Sequence, residues 1–167
     1  MKRLFFALWP DETLRLQCAK VIENIPVGSG RPVKTNNLHV TLLFLGEIDS
    51  IQEQCLSKAA AKLSPPCLTL TFDQLSFWTK PEILCLTCSD FNQQLTVFVE
   101  KLRVIAAENG VSIADRPYQP HITLARKAQD LVFLRFQPIR WRIEDFCLVQ
   151  SISRADGVEY RLLGRWV

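Results

Sequence analysis

The clearest regularity in the chain is an apolar stripe between residues 91 and 106. Phe91, Leu95, Phe98, Val99, Leu102, Ile105 and Ala106 recur at spacings of three and four, which puts them on one side of an α-helix. Ser89 or Asp90 stands where an N-cap belongs, and Asn109-Gly110 supplies a C-terminal stop. Two more helices follow the same logic. Leu14, Cys18, Val21, Ile22 and Ile25 form a stripe behind Asp11, ended by Pro26. Ile51, Cys55, Leu56, Ala59, Ala60 and Leu63 form one behind the capping-box sequence Ser50-Ile51-Gln52-Glu53, ended by Pro65-Pro66. Short runs rich in aliphatic and aromatic residues predict strands at about 3–9, 38–45, 67–77, 82–88, 119–126, 140–152 and 158–166, with a connector at 127–139 and a turn at Asp156-Gly157.

The order of these elements repeats. Strand, helix, loop and strand occupy about 3–45, and the same order returns over about 82–126. Each unit ends on a strand that carries one of the two histidines; Leu4 lies 35 positions before His39 and Ile83 lies 38 before His121. The expectation is one domain over residues 1–167, made of two related lobes facing each other across a pseudo-twofold axis.

Composition narrows the picture. Hydrophobic residues are 48% and charged residues 22% of the 167, as in an ordinary globular domain. No apolar run approaches the roughly 18 residues of a membrane helix. The charged start and short apolar run of residues 1–8 are cut off by Trp9-Pro10-Asp11-Glu12, so a first strand is expected there, not a signal peptide, and the location is read as cytoplasmic. A net charge of +3 permits an anionic ligand without predicting nucleic acid by itself. Of the six cysteines, Cys85 and Cys88 form a C-x-x-C inside an apolar strand. They read as small buried hydrophobes, with redox or zinc chemistry as the rival.

The sharpest signal is in the histidine strands. His39-Val40-Thr41-Leu42 and His121-Ile122-Thr123-Leu124 hold the only histidines in the chain. Both carrying Thr at +2 and Leu at +3 by chance is on the order of one in ten thousand. On a strand, residues i and i+2 share a face. Each strand then presents an imidazole and a hydroxyl together, with the aliphatic residues turned into the core. Two such strands face to face suit phosphodiester cleavage without a metal. A neutral imidazole removes a proton from the attacking oxygen, a protonated one gives a proton to the leaving oxygen, and the hydroxyls bind non-bridging oxygens. Neither motif has a carboxylate at a metal-ligand offset, so no metal or other cofactor is expected. The near-equivalent motifs leave open which histidine is the acid.

These residues resemble the 2H phosphoesterase superfamily. Asn37-Leu38-His39-Val40-Thr41-Leu42-Leu43-Phe44-Leu45-Gly46-Glu47 and Pro120-His121-Ile122-Thr123-Leu124-Ala125-Arg126 are similar to the bacterial and archaeal RNA 2′,3′-cyclic phosphodiesterases, formerly called 2′-5′ RNA ligases. Arg3-Leu4-Phe5-Phe6-Ala7-Leu8 and Tyr160-Arg161-Leu162-Leu163-Gly164-Arg165-Trp166 extend the likeness to both ends. The resemblance implies a bilobal α+β fold with two antiparallel sheets lining a central cleft and helices packed outside. It implies hydrolysis of RNA 2′,3′-cyclic phosphate ends to 2′-phosphomonoesters, with minor reversible 2′-5′ ligation; the protein is expected to act as a monomer. It makes His39 the proton donor and His121 the proton acceptor, aided by Thr41 and Thr123.

It also points to Phe44 for stacking a nucleobase, Arg126 for holding a phosphate, and Phe6 in the same pocket. Phe44 and Arg126 each lie five residues after their histidine. Simple alternation puts them on the opposite face, so either a bulge re-aims them or they are core and surface. Other superfamily branches, acting on 2′-5′ oligoadenylates or other cyclic nucleotides, and a non-catalytic protein that binds RNA ends are the alternatives. A primary ligase is disfavoured because the chain has no G-x-x-x-x-G-K phosphate loop.

Overall fold

The computed structural model describes residues 1–155 and 157–167. The expected Asp156-Gly157 turn includes Asp156, which lies outside the described residues. In chain order the elements are β1 (Lys2–Leu8), α1 (Glu12–Glu23), β2 (Arg31–Pro32), a 3₁₀ turn at Thr35–Asn37, β3 (Val40–Ile48), α2 (Ser50–Ala60), β4 (Leu68–Phe72), β5 (Gln74–Trp78), β6 (Ile83–Thr87), α3 (Gln94–Glu108), β7 (His121–Arg126), β8 (Ile139–Ile143), β9 (Phe146–Arg154) and β10 (Gly157–Trp166).

The fold is α+β. Eight strands form an antiparallel sheet in the order β10-β9-β1-β3-β7-β6-β5, with β2 beside β7; β4 and β8 form a separate antiparallel pair. The large sheet has two wings joined where β3 meets β7 at one ladder pair, Val40 with Ile122. These are equivalent positions of the two motifs, as a local twofold between the halves requires. The helices bury Leu14, Cys18 and Val21 (α1), Leu56 and Ala60 (α2), and Leu95, Phe98, Val99, Leu102, Ile105 and Ala106 (α3) in one core with the inner sheet residues.

Four boundaries differ from the periodicity-based expectation. The run 67–77 splits at Asp73, whose carboxylate binds the backbone N–H and hydroxyl of Ser89. That separates β4 from β5 and sends them to different sheets. The same bond occupies Ser89, so α3 begins at Gln94, with the Asn92 side chain accepting from its N–H. The run 140–152 breaks at Glu144-Asp145 because β8 must reach β4 while β9 pairs with β1. The cap of α2 is Asp49 instead of Ser50, in a capping box with Gln52.

Two register shifts decide which residues face the cleft. Directly opposed residues of a ladder share a face. Ala7 faces Thr41 and Phe6 faces Leu43, so Leu42 is the extra residue on β3. Cys85 faces Thr123 and Leu84 faces Ala125, so Leu124 is the extra residue on β7. Both shifts fall on the Leu at +3 of the motif, and both leucines are buried. Each bulge reverses the alternation beyond it. Phe44, opposite Phe5, and Arg126, opposite Ile83, thereby return to the face that carries the histidine and threonine.

Replacing Asp49 with Ala removes the α2 capping box and should cost about 1 kcal/mol. In a domain of this size that lowers the thermal midpoint by about 2–4 °C, measurable by calorimetry; an unchanged midpoint would show that the cap does not hold the helix start.

Candidate functional site

His39 immediately precedes β3 and His121 opens β7. The antiparallel Val40–Ile122 pair sets the two motifs head to tail, so His39 comes beside Thr123; both line one cleft of about 250 Å³. Arg31, Lys34, Asn37, Arg126 and Tyr160 also line it, giving it a cationic wall that suits a phosphate.

Both imidazoles are held by the same device. His39 Nδ1 lies 2.7 Å from the carbonyl oxygen of Asn37, and His121 Nδ1 lies 3.0 Å from that of Gln119. Each carbonyl stands two residues before its histidine and can only accept, so each Nδ1 carries a proton and donates it. In the neutral ring Nε2 is then the basic nitrogen. His39 Nε2 lies 3.1 Å from Thr41 Oγ1, which donates to it while the ring is neutral.

Aromatic side chains enclose the rings unequally. His39 contacts Phe5 at 5.1 Å, stacks on Trp9 at 5.9 Å, and meets Tyr160 edge-on at 5.0 Å between centroids. Arg15 braces this side. Its guanidinium lies over Trp9, and it donates to the carbonyls of Pro10 and Thr35. Thr35 belongs to the 3₁₀ turn that ends at Asn37, the residue holding His39. His121 has Trp78 at 4.4 Å. Tyr160 and Trp78 come from the outermost strand of each wing and reach inward to a histidine.

Burial therefore lowers the pKa of both histidines. His39 falls from the usual 6.5 to about 4, mainly by desolvation and further by the charges of His121, Arg126 and Arg15, against the bond to Asn37. His121 is lowered by desolvation and by Arg126, against the bond to Gln119. Both rings are neutral near pH 7 in the free protein.

Of the remaining expected residues, Thr41 is buried beside His39, while Thr123 and Arg126 line the cleft. Phe44 is 64% exposed on the cleft face, 5.9 Å from Phe5. Phe6 does not meet its expectation. It points the other way, fully buried against Phe146 and Trp166. Its neighbour Phe5 takes the place beside His39, because adjacent strand residues face opposite sides. Cys85 and Cys88 are buried, with free thiols pushed up to about 12 and about 11 mainly by desolvation, as small apolar side chains would be. Among the described residues no group of three His, Cys, Asp or Glu comes together as a metal would require.

Trp9, Arg15, Trp78 and Tyr160 escaped the motif reading because they lie far along the chain from the histidines they serve. The polar residue two positions before each histidine, Asn37 and Gln119, was visible by aligning the two motif windows.

The family model described as LigT like Phosphoesterase matches the chain twice, over residues 9–84 and 86–160. An RNA 2′,3′-cyclic phosphodiesterase of Escherichia coli K12 is 33% identical over 168 residues, covering 99% of this chain and 96% of its own. One from Thermotoga maritima is 27% identical, covering 96% and 92%. The crystal structure of E. coli LigT complexed with 3′-AMP superposes with a TM-score of 0.89 at 33% identity, covering 99% of this chain and 97% of its own.

A folded-state pKa below the unfolded value means that the unfolded chain binds more protons between the two. Stability should therefore fall as pH drops from about 6.5 to about 4, by up to about 3 kcal/mol for His39. Urea unfolding across that window should show a smaller loss for His39→Gln. An equal loss would mean that His39 is not held neutral.

Proposed function

Because the chain belongs to the LigT-like phosphoesterase family, we propose that it hydrolyses 2′,3′-cyclic phosphodiester ends of RNA to 2′-phosphomonoesters by metal-free acid–base chemistry. The observation that carries this reading is the matched pair of imidazoles. Each Nδ1 is tied to a carbonyl two residues upstream, which leaves Nε2 for proton transfer, on either side of the Val40–Ile122 pair.

In this reading neutral His121 takes a proton at Nε2 from water as the water oxygen bonds to phosphorus. The bond from phosphorus to O3′ breaks, and His39, protonated at Nε2, gives its proton to O3′. One proton leaves water and one reaches the ribose, so exchange with solvent resets the pair. His39 is neutral in the free protein, so its acid proton arrives with the anionic substrate, whose charge offsets the desolvation that lowers its pKa. Once Nε2 is protonated, the Thr41 hydroxyl is released to turn to a phosphate oxygen, and Thr123 supplies the second donor. Arg126 neutralises the phosphate and Phe44 stacks the terminal base.

We place this chemistry in one domain of two related lobes, residues 1–167, acting as a cytoplasmic monomer. The double family match supports the two lobes. No helix among the described residues is long and apolar enough to cross a membrane. 2′-5′ joining, in which an RNA 5′-hydroxyl takes the place of water at phosphorus, is the minor reaction, since the sequence has no G-x-x-x-x-G-K loop to couple it to a nucleoside triphosphate.

The test is a short RNA ending in a 2′,3′-cyclic phosphate, incubated in EDTA, with 2′- and 3′-phosphate products resolved. The 2′ product should form. His39→Ala and His121→Ala should each lower turnover by roughly 10²–10⁴-fold without changing the circular dichroism spectrum. Wild-type turnover in either variant would sink the acid–base pair. Activity lost in EDTA and restored by one metal ion would instead favour a metallohydrolase.

A further inference from the structure

The cleft face of the first wing continues well past the cleft, and no helix covers it. Its small cluster of Phe5, Ala7, Cys147 and Val149 packs against Trp9 and Tyr160, with His39 and Phe44 beside Phe5, whereas the helices pack in the main core on the other face. Register places Phe44, Phe5, Val149 and Leu162 side by side in one row across β3, β1, β9 and β10. The middle pair is buried, but Phe44 is 64% and Leu162 40% exposed. The neighbouring row is Glu47, Arg3, Ser151 and Tyr160. The Arg3 side chain is exposed, and among the described residues no side-chain hydrogen bond or ion pair engages it. Between Phe44 and Leu162 the half-buried Tyr160 ring packs against Phe5, so the exposed apolar surface runs through that ring; with a cation at its flank it marks a binding surface.

We propose that this strip carries the RNA strand on the 5′ side of the terminal nucleotide, with the penultimate base lying on the row toward Leu162 and its phosphate meeting Arg3. The inference rests on the hydrolase reading above and extends it. A cyclic phosphate end leaves the terminal ribose joined to the rest of the RNA through its 5′ oxygen, so the strand must leave the cleft over some surface. The strip starts at Phe44, and Tyr160 belongs both to the cleft wall and to the row beside it. From Phe44 to Leu162 is three strand spacings, about 14 Å, which accommodates the terminal nucleotide and its 5′ neighbour. Unstacked bases settle on such apolar and aromatic surfaces with little regard to sequence. Glu47 stands opposite Arg3, which limits the phosphate contact to the Arg3 side of the row.

The experiment compares 2′,3′-cyclic AMP with a triadenylate ending in a 2′,3′-cyclic phosphate, using the whole protein. The trinucleotide should have a KM about fivefold or more below that of the mononucleotide. Leu162→Glu and Arg3→Glu should each raise the trinucleotide KM by about fivefold or more, leaving kcat and all mononucleotide kinetics unchanged. Equal KM values for the two substrates, with neither variant altering them, would overturn the proposal while leaving the hydrolase reading intact. So would a trinucleotide KM that responds to Lys80→Glu on the other wing and not to these two. If neither substrate turns over, the hydrolase reading fails. The surface is then tested by titrating a 3′-phosphorylated triadenylate while following the Leu162 methyl resonances. A shift abolished by Arg3→Glu supports the strip, and no shift removes it.

Discussion

Where β3 crosses β7 the strands share a single ladder pair, Val40 with Ile122, and the geometry of the cleft is built outward from it. An antiparallel pair has a local twofold axis through its centre. Placing the same motif position on both sides makes the pair the meeting point of two half-sites. It also keeps the contact short, because the strands separate immediately beyond it and open a space between the wings. The aliphatic side chains of the pair are fully buried, so the junction is anchored by the same core that supports the helices.

The electrostatics follow from that placement. Two imidazoles on one face, near an arginine and walled by aromatic rings, resist protonation. Burial keeps the pair neutral near pH 7 in the free protein. The carbonyls of Asn37 and Gln119 settle the tautomer before any ligand arrives. Ring orientation is then a property of the backbone, and Nε2 is the nitrogen left in each ring to exchange a proton. The unequal enclosure of the two rings separates their environments, although the motifs that carry them are nearly identical.

Much of this was legible in the sequence. The stripes of α1 and α3, the histidine strands and the repeated order of elements came from periodicity, which reports burial directly. The failures have specific physical origins. The β4–β8 pair was hidden because an apolar run does not say which sheet it joins; Asp73 and Asp145 break the runs through tertiary contacts with Ser89 and Arg165. Family likeness points to Phe6 and passes over Phe5, because it does not distinguish adjacent residues, whereas strand parity does. Phe44 and Arg126 stood on an unresolved parity question that two bulges answer. Tyr160, Trp78 and Trp9 are brought in by sheet order, which no local window contains.

Those two bulges have a further consequence. Since Leu42 and Leu124 each absorb one step of the alternation, position +5 in each half returns to the face of its histidine, and there the halves diverge: a phenyl ring in one half, a guanidinium in the other. A symmetric frame cannot by itself distinguish the two ends of a ligand. The divergence at +5 gives the frame a polarity, an apolar pole and a charged pole, at the cost of two side chains and no change in backbone plan.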